Sequence, residues 1–300
     1  MADPLVSILL VTWKRVDMLE ECLGGIAAAK PSVPFELVIV NNGGEATAAR
    51  VQAIASGARV IHSRVNLGLP GGLRLARSVA RGKYVAALQD DVLVREGWLD
   101  RLVERMEKDP WVGIAGSRIT LPEGGEICGL YLLGGLTWVI AETEAEPAPV
   151  DLCLSASMLI RARAWDDAGG PSAELFPLGY VDFDLCIRVA RCGWIIEVVS
   201  ESVVHHRWHQ STSPALRAYT VERNAGPVRR WHAQWLRELP LEATREEMRA
   251  LLVARAETIR ARPPPAGRDP RPFTRWDRVR LEWIARLGAL RLRLARLGSS

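Results

Sequence analysis

The chain has 300 residues, of which 48% are hydrophobic, and a formal net charge of +4 at pH 7. This length fits one large α/β domain or two small ones, and the hydrophobic content is enough to bury a core, so disorder of the whole chain is excluded. Ten arginines and three acidic residues give residues 261–300 a charge of +7, which leaves −3 for residues 1–260, so the basic character belongs to the C-terminal segment.

The cysteines predict a reducing compartment. They are five in number and show no CxxC spacing, which argues against a disulfide framework and against a structural zinc site. No positively charged region precedes the apolar run at residues 6–11, and no stretch reaches the ~20 apolar residues of a membrane span. We therefore expect a soluble cytoplasmic protein, or one that binds peripherally at the inner face of the membrane.

Apolar, β-branched runs alternate with helical segments through the first 115 residues. This alternation predicts a Rossmann-like, mostly parallel central sheet with helices on both faces. Ligands of such sheets bind at the carboxyl ends of the strands, here the loops 12–15, 41–44, 66–72 and 89–91. The predicted strands cover residues 5–11, 35–40, 59–62 and 84–88, and the predicted helices cover residues 16–29, 45–56 and 73–80.

The second half of the chain has a less regular pattern. Strand-like runs at 112–119 and 194–199 are followed by charged, helical residues at 215–260 and a Pro-rich linker at 263–267. Beyond the linker, large apolar residues recur at spacings of three and four, which predicts an amphipathic helix with arginines on its other face. This apolar stripe consists of Trp276, Val279, Trp283, Leu287, Leu290, Leu294 and Leu297.

Asp90 and Asp91 directly follow the predicted strand 84–88. Adjacent carboxylates at the end of a buried strand repel each other, so they call for a cation or for hydrogen-bond donors. Oxygen ligands of this kind select Mg²⁺ or Mn²⁺, which usually bridge protein carboxylates to substrate phosphates. A solvated turn is the alternative interpretation.

Asp182 and Asp184 open a predicted helix and lie near the positive end of its dipole. Asp184 fits the N-cap position, because capping is the commonest use of Asp before an apolar run. Asp182 is then free to act as a general base on a hydroxyl.

Two further segments carry weaker signals. His205, His206 and His209 follow a strand-like run and could complete a metal shell or bind phosphate, with a polar turn as the alternative. Zinc is less favoured, since no second ligand pair has a matching spacing. Residues 66–74 are glycine-rich before a helix, so that backbone N–H groups and Arg74 could contact phosphates, although the segment is neither a GxGxxG fingerprint nor a P-loop.

In their order along the chain, these motifs resemble the family 2 glycosyltransferases with the GT-A fold, particularly the bacterial rhamnosyltransferase-like members. The resemblance covers roughly residues 5–235, and each motif is degenerate alone. It implies a GT-A domain over residues 1–235, with a nucleotide-sugar-binding half (1–115) and an acceptor half (116–235), and a helical C-terminal extension over 236–300. The matching segments are residues 6–12, 38–43, 66–68 with Gly71 and Gly72, 89–91, 182–188, His206 with Ser211, and Arg223 with Asn224.

The resemblance implies a nucleotide diphosphate sugar as donor and Mn²⁺ or Mg²⁺ as cofactor. The triplet 89–91 corresponds to the family's DxD motif, so that Asp91 would bind the metal and Asp90 the ribose or a phosphate. His206 corresponds to a histidine that approaches the metal or the diphosphate, and Asp182 to the catalytic base of an inverting, single displacement. The other implied donor-binding residues are Thr12, Trp13, Arg15, Asn41, Asn66, Gly68, Gly71, Arg74 and Gln89.

Two positions depart from the family pattern. Gln89 replaces the first Asp of the motif, which weakens the argument for two carboxylate ligands. Asn41 stands where the family usually has an Asp that contacts the base. Because Asn both donates and accepts hydrogen bonds, the base of the donor nucleotide could also be guanine or cytosine. The acceptor, whether a glycan, a lipid-linked molecule or another hydroxyl compound, is not indicated.

Other functions remain as alternatives. A nucleotidyltransferase would normally show a glycine-rich basic loop after the first strand, and residues 12–15 lack glycines. A non-catalytic nucleic-acid-binding module using the basic segment would leave Asp91 and Asp182 without a role. For the C-terminal helix we consider burial of its apolar stripe against the enzyme or in a homodimer, attachment to an anionic membrane surface, and binding of nucleic acid through its arginines.

Overall fold

The protein, described here as a computed structural model, is characterised over residues 3–207, 212–265 and 271–297. Within these ranges the strands are β1 (Val6–Thr12), β2 (Phe35–Asn41), β3 (Arg59–His62), β4 (Tyr84–Gln89), β5 (Val92–Val94), β6 (Val112–Thr120), β7 (Glu126–Ile127), β8 (Leu130–Leu133), β9 (Thr137–Ile140), β10 (Ala148–Pro149), β11 (Ser157–Arg161) and β12 (Ile195–His206). The helices are α1 (Val16–Ala29), α2 (Glu45–Ile54), α3 (Gly68–Arg77), α4 (Trp98–Lys108), α5 (Ala162–Ala168), α6 (Val181–Arg191), α7 (Pro214–Trp231), α8 (Ala233–Arg237), α9 (Arg245–Arg260) and α10 (Arg275–Leu297).

The main sheet has the order β10-β12-β6-β11-β4-β1-β2-β3, with β5 added to β12 and β7 added to β6. Strands β3, β2, β1 and β4 are parallel neighbours, and β11 runs antiparallel between β4 and β6. The four strands predicted in the first half are therefore confirmed, as is a mostly parallel sheet. Strands β1 and β4 are buried almost throughout because they lie at the centre of the sheet, which explains their continuous apolar sequences.

Helix α3 begins earlier than predicted, at Gly68 instead of Leu73. Gly71 and Gly72 therefore lie inside the helix and not in a loop before it. A Cβ atom at Gly72 would lie 2.6 Å from Val11 Cγ1, so glycine at this position allows α3 to pack directly on β1. The glycine-rich sequence thus serves close helix–strand packing as well as the turn.

Strand β12 is longer than the predicted run at 194–199 and continues to His206 after an irregularity between Val199 and Val203. His205 and His206 are therefore strand residues, and the alternative of a polar turn is wrong for both. His209 and Ser211 lie outside the described residues.

The C-terminal helix α10 packs on the enzyme body, against α3 and a short 3₁₀ turn at Ala173–Leu175. Its buried residues include Leu281 and Ala285, and a Cβ atom at Gly288 would overlap the Phe176 ring. Trp276 and Trp283 are 78% and 61% exposed, so the predicted burial of these two tryptophans against the enzyme is wrong. Among the described residues, no helix is long and apolar enough to span a bilayer.

Candidate active site

A cleft of about 480 Å³ lies at the carboxyl ends of β1 and β4, where ligands of such sheets bind. Of the predicted donor-binding and metal-binding residues, Trp13, Asn66, Gly68, Gln89, Asp90 and Asp91 line it. Its other lining residues are Val11, Lys14, Asn42, Leu69, Phe176, Pro177, Leu178, Thr212, Leu216, Ala289, Leu292 and Arg293.

Asp90 is a buried carboxyl group in the cleft. Burial raises the pKa of its carboxyl group to about 7, and the neighbouring charge of Asp91 adds to the rise. The Thr12 hydroxyl faces Asp90 and offsets part of this effect, yet the two groups do not reach hydrogen-bond geometry. Asp90 Oδ2 and Thr12 Oγ1 are buried without a hydrogen-bond partner among the described residues. A buried oxygen of this kind requires a ligand or a proton.

Asp91 and His206 are brought together by the pairing of β5 with the end of β12. Val92, the residue after Asp91, is the register partner of His206 in this antiparallel pair. As a result the His206 Nε2 atom lies 3.1 Å from Asp91 Oδ1, and the backbone N–H of Arg207 donates to the Asp91 carbonyl oxygen at 3.0 Å. Both side chains are buried.

The carboxylates offer an incomplete set of metal ligands. Across residues 3–207, 212–265 and 271–297, no group of three or more His, Cys, Asp or Glu side chains could by itself hold a metal ion. Mg²⁺ and similar hard cations are commonly bound by one or two carboxylates, with phosphates and water completing the shell. Asp91, His206 and the unpaired oxygen of Asp90 fit this mode of binding.

Gln89 links the cleft to Asp182. Its side-chain amide donates to Ser155 Oγ at 3.2 Å, and the backbone N–H of Ser155 donates a long hydrogen bond of 3.4 Å to Asp182 Oδ2. Asp182 Oδ1 accepts from the N–H of Phe183 at 3.1 Å. Burial raises the pKa of Asp182, and these donors offset part of the rise.

Two aromatic residues, Tyr180 and Phe183, flank Asp182 in the sequence. The Phe183 ring makes edge-to-face contacts with Trp138 and Tyr180, at centroid distances of 5.3 and 5.0 Å. Trp138 is 46% exposed. A partly exposed tryptophan therefore packs on the residue that follows Asp182.

Asp184 is a buried structural residue and not the predicted N-cap. Helix α6 begins at Val181 after Tyr180, which has a left-handed conformation with φ of 60°, and no side chain caps the helix. Asp184 lies one turn inside the helix and accepts hydrogen bonds from Ser172 N (3.0 Å), Arg188 Nε (3.1 Å) and His232 Nε2 (3.0 Å). Burial alone would raise the pKa of Asp184, but His232 and Arg188 outweigh it and hold the pKa below its usual value.

Asn41 does not reach the cleft, contrary to the prediction. Its fully buried side chain holds the following turn through Gly43, Gly44 and Thr47 and contacts His62 Nδ1 at 3.1 Å. The next residue, Asn42, lines the cleft instead. Its side chain bridges Gly68 O and Leu67 N, each at 3.1 Å.

Four other predicted donor-binding residues lie outside the cleft lining: Thr12, whose hydroxyl faces Asp90, and Arg15, Gly71 and Arg74. Arg74 donates to the carbonyl groups of Gly169 and Pro171 and lines a separate cleft, although it was predicted to meet the donor phosphates. Gly71 is buried within α3. Arg15 forms an ion pair with Asp17 at 2.8 Å, which raises the pKa of Arg15, and the charges of Asp90 and Asp91 contribute to that rise.

Sequence reasoning missed the part of the cleft wall that α10 supplies. Ala289, Leu292 and Arg293 of this helix line the cleft together with residues at the strand ends. The sequence does contain a pattern that predicts this face. Small and apolar residues recur at spacings of three and four, at Leu281, Ala285, Gly288 and Leu292.

Comparison with known proteins finds a family profile that is similar to the first half of the chain. Residues 7–133 match the profile described as Glycosyl transferase family 2. The chain is 25% identical over 217 residues to "Uncharacterized protein y4gI" of Sinorhizobium fredii, over 64% of this chain. It spans 23% and 40% of the lengths of the curated relatives that it matches.

Solved glycosyltransferases share the architecture. GalNAc-T7, solved with UDP, GalNAc and Mn²⁺, has a TM-score of 0.62 at 14% identity, covering 86% of this chain and 55% of that one. The mannosyltransferase PcManGT of Pyrobaculum calidifontis, solved with GDP-Man and Mn²⁺, has a TM-score of 0.56 at 15% identity, covering 97% and 87%. The predicted GT-A fold is confirmed.

Proposed function

We propose that the protein transfers a sugar from a nucleotide diphosphate sugar to an acceptor hydroxyl with inversion at the anomeric carbon. The observation that carries the proposal is the arrangement of three carboxylates around Gln89. Asp90 and Asp91 lie in the cleft, and Asp182 is joined to the same triplet through Ser155. The contacts from Gln89 through Ser155 to Asp182 would therefore connect the diphosphate of a bound donor with a general base.

The donor diphosphate is assigned to the cleft beside Asp90 and Asp91. The two solved relatives carry UDP and GDP-Man together with Mn²⁺, which supports a nucleotide diphosphate and a divalent cation here. Asp91 and His206 would hold Mn²⁺ or Mg²⁺, which would neutralise the charge developing on the departing nucleoside diphosphate. Asn42 replaces Asn41 as the candidate for contact with the base, because only Asn42 lines the cleft.

Asp182 is assigned as the general base. Its carboxylate accepts the proton of the acceptor hydroxyl while that oxygen attacks the anomeric carbon from the face opposite the diphosphate. The new C–O bond forms as the bond to the diphosphate oxygen breaks. Burial strengthens Asp182 as a base, and the N–H groups of Ser155 and Phe183 orient it.

The acceptor is assigned to the surface around Trp138, Tyr180 and Phe183. Phe183 directly follows the assigned base and contacts the other two rings, and the exposed face of Trp138 offers apolar area to a bound ring or chain. No feature of the described residues selects between a glycan and another hydroxyl acceptor.

Hydrolysis of a panel of UDP, GDP and dTDP sugars, with and without Mn²⁺, tests the proposal. The panel includes rhamnosyl donors because of the sequence resemblance. We expect slow, Mn²⁺-dependent release of a nucleoside diphosphate from one donor class, reduced in the Asp91→Ala variant. A nucleotidyltransferase would instead release pyrophosphate from a nucleoside triphosphate, and that result would contradict the proposal.

A further inference from the structure

Helix α10 has two faces with different surroundings. One face packs on the enzyme body through Leu281, Ala285 and Gly288. The opposite face carries large apolar side chains in contact with solvent. We call this face the outer stripe; it consists of Trp276 (78% exposed), Val279 (47%), Trp283 (61%), Leu290 (52%) and Leu294 (58%).

Exposed arginines border the outer stripe on both sides. At 100° per residue, Arg286 lies along one edge of the stripe and Arg291 along the other, and both side chains are exposed. The acidic residues of α10 are held by neighbouring cations, with Arg271 at 3.1 Å from Asp277 and Arg278 at 3.4 Å from Glu282. The outward surface of the helix is therefore apolar along its centre and positively charged along its edges.

This pattern matches the lipid–water interface. Tryptophan favours the headgroup region, and an apolar stripe flanked by arginine suits an anionic bilayer. A second copy of the chain is a poorer occupant, because two outer stripes facing each other would bring their bordering arginines together.

We propose that α10 is an interfacial helix that attaches the protein to anionic membranes through the outer stripe. The inner face of the same helix supplies Ala289, Leu292 and Arg293 to the cleft, so attachment would hold the cleft at the membrane surface. If the proposed function also holds, this position favours an acceptor carried on a lipid. The membrane inference itself does not require glycosyl transfer.

Cosedimentation of the full-length protein with phosphatidylcholine vesicles, with and without phosphatidylglycerol, tests the attachment. We expect binding to the anionic vesicles that weakens as salt is raised, and about tenfold weaker binding of the Trp276→Ser/Trp283→Ser variant. The matched control is Trp231→Ser, which removes a 41% exposed tryptophan from α7 and should bind like the wild type. A second variant, Arg286→Gln/Arg291→Gln, should lose the preference for anionic lipid.

The readout is independent of activity, since donor hydrolysis is measured separately on each variant. Absence of binding to anionic vesicles would overturn the proposal, as would binding that neither double variant weakens. Light scattering gives the mass of each protein without lipid. If the tryptophan variant converts a dimer to a monomer and the wild type binds no vesicles, the outer stripe is a subunit interface and the proposal fails.

Discussion

His206 and Asp91 are 115 positions apart in the sequence, yet His206 Nε2 lies 3.1 Å from Asp91 Oδ1. The contact depends on the short strand β5, whose antiparallel pairing with β12 places the end of β12 beside the residue that precedes β5. Strand pairing thus joins a residue of the predicted acceptor half to the candidate metal-binding carboxylate.

Removal of either member of this pair should weaken metal-dependent donor binding. We expect Asp91→Ala to abolish the Mn²⁺ dependence of donor affinity, and His206→Ala to weaken Mn²⁺ affinity by at least about 10-fold, since loss of a residue that only orients a metal ligand already costs about 10–100-fold. Titration calorimetry with the donor identified by hydrolysis measures both effects. Glu104→Ala, which removes an exposed carboxylate on α4, is the control. Unchanged Mn²⁺ and donor affinities in Asp91→Ala would contradict the metal assignment.

The affinity of the cleft for Mn²⁺ and donor should depend on pH near neutrality. Because burial raises the pKa of Asp90 to about 7, the free protein holds a proton there at lower pH. A cation or phosphate-bound cation must displace this proton, so affinity should fall as the solution becomes more acidic and level off above the pKa. Calorimetry in buffers of different ionisation enthalpy should detect proton release at about pH 6 and little at about pH 8.5. Identical affinities across this range would show that Asp90 takes no part.

Asp182→Asn should abolish transfer while leaving donor affinity nearly unchanged, because it removes the base but not the cleft. Loss of a general base typically lowers the rate by ~10²–10⁴-fold. Since the pKa of Asp182 is raised and the base must be ionised, wild-type kcat/KM should rise with pH through an acid limb lying above the usual Asp range. A variant that keeps more than about a tenth of the wild-type rate would remove Asp182 from this role.

Asp184→Asn should act on stability instead of chemistry. The substitution weakens charge-assisted hydrogen bonds to Arg188 and His232, and we expect the free energy of unfolding to fall by about 2–3 kcal/mol. Because the folded-state pKa of Asp184 is lowered, its contribution is present above the unfolded pKa of about 3.9 and is lost as the pH falls through the folded value. Urea unfolding should therefore show a difference at neutral pH that shrinks in acid. The exposed Glu201→Gln variant, as control, should unfold like the wild type.

Several features of the protein follow from its sequence alone, because they depend on local pattern. A buried parallel strand is a continuous apolar run, so β1, β2, β3 and β4 could be located within a residue or two. Once these strands are known, the rule that ligands bind at their carboxyl ends places the triplet 89–91 in a cleft. The start of α6 near Asp182 was predicted from another local pattern, in which acidic residues precede an apolar run.

Other features were decided only by the tertiary structure. Successive residues at a strand end point to opposite faces, so a shift of one residue exchanges Asn41, which is buried, for Asn42, which lines the cleft. Arg74 was expected at the donor, but in the folded chain it donates to the carbonyl groups of Gly169 and Pro171, about a hundred positions away in the sequence. The positions of these side chains cannot be predicted from the sequence pattern, because they depend on which groups of distant segments pack against them.

The sequence pattern did not predict which face of α10 packs on the enzyme. Hydrophobicity alone favours burial of Trp276 and Trp283, whereas the folded chain buries Leu281, Ala285 and Gly288. Close packing selects for shape, and only small residues allow the helix to approach Phe176. The sequence by itself determined that this helix is amphipathic; the contour of the surface beneath it decided which face is turned toward the enzyme.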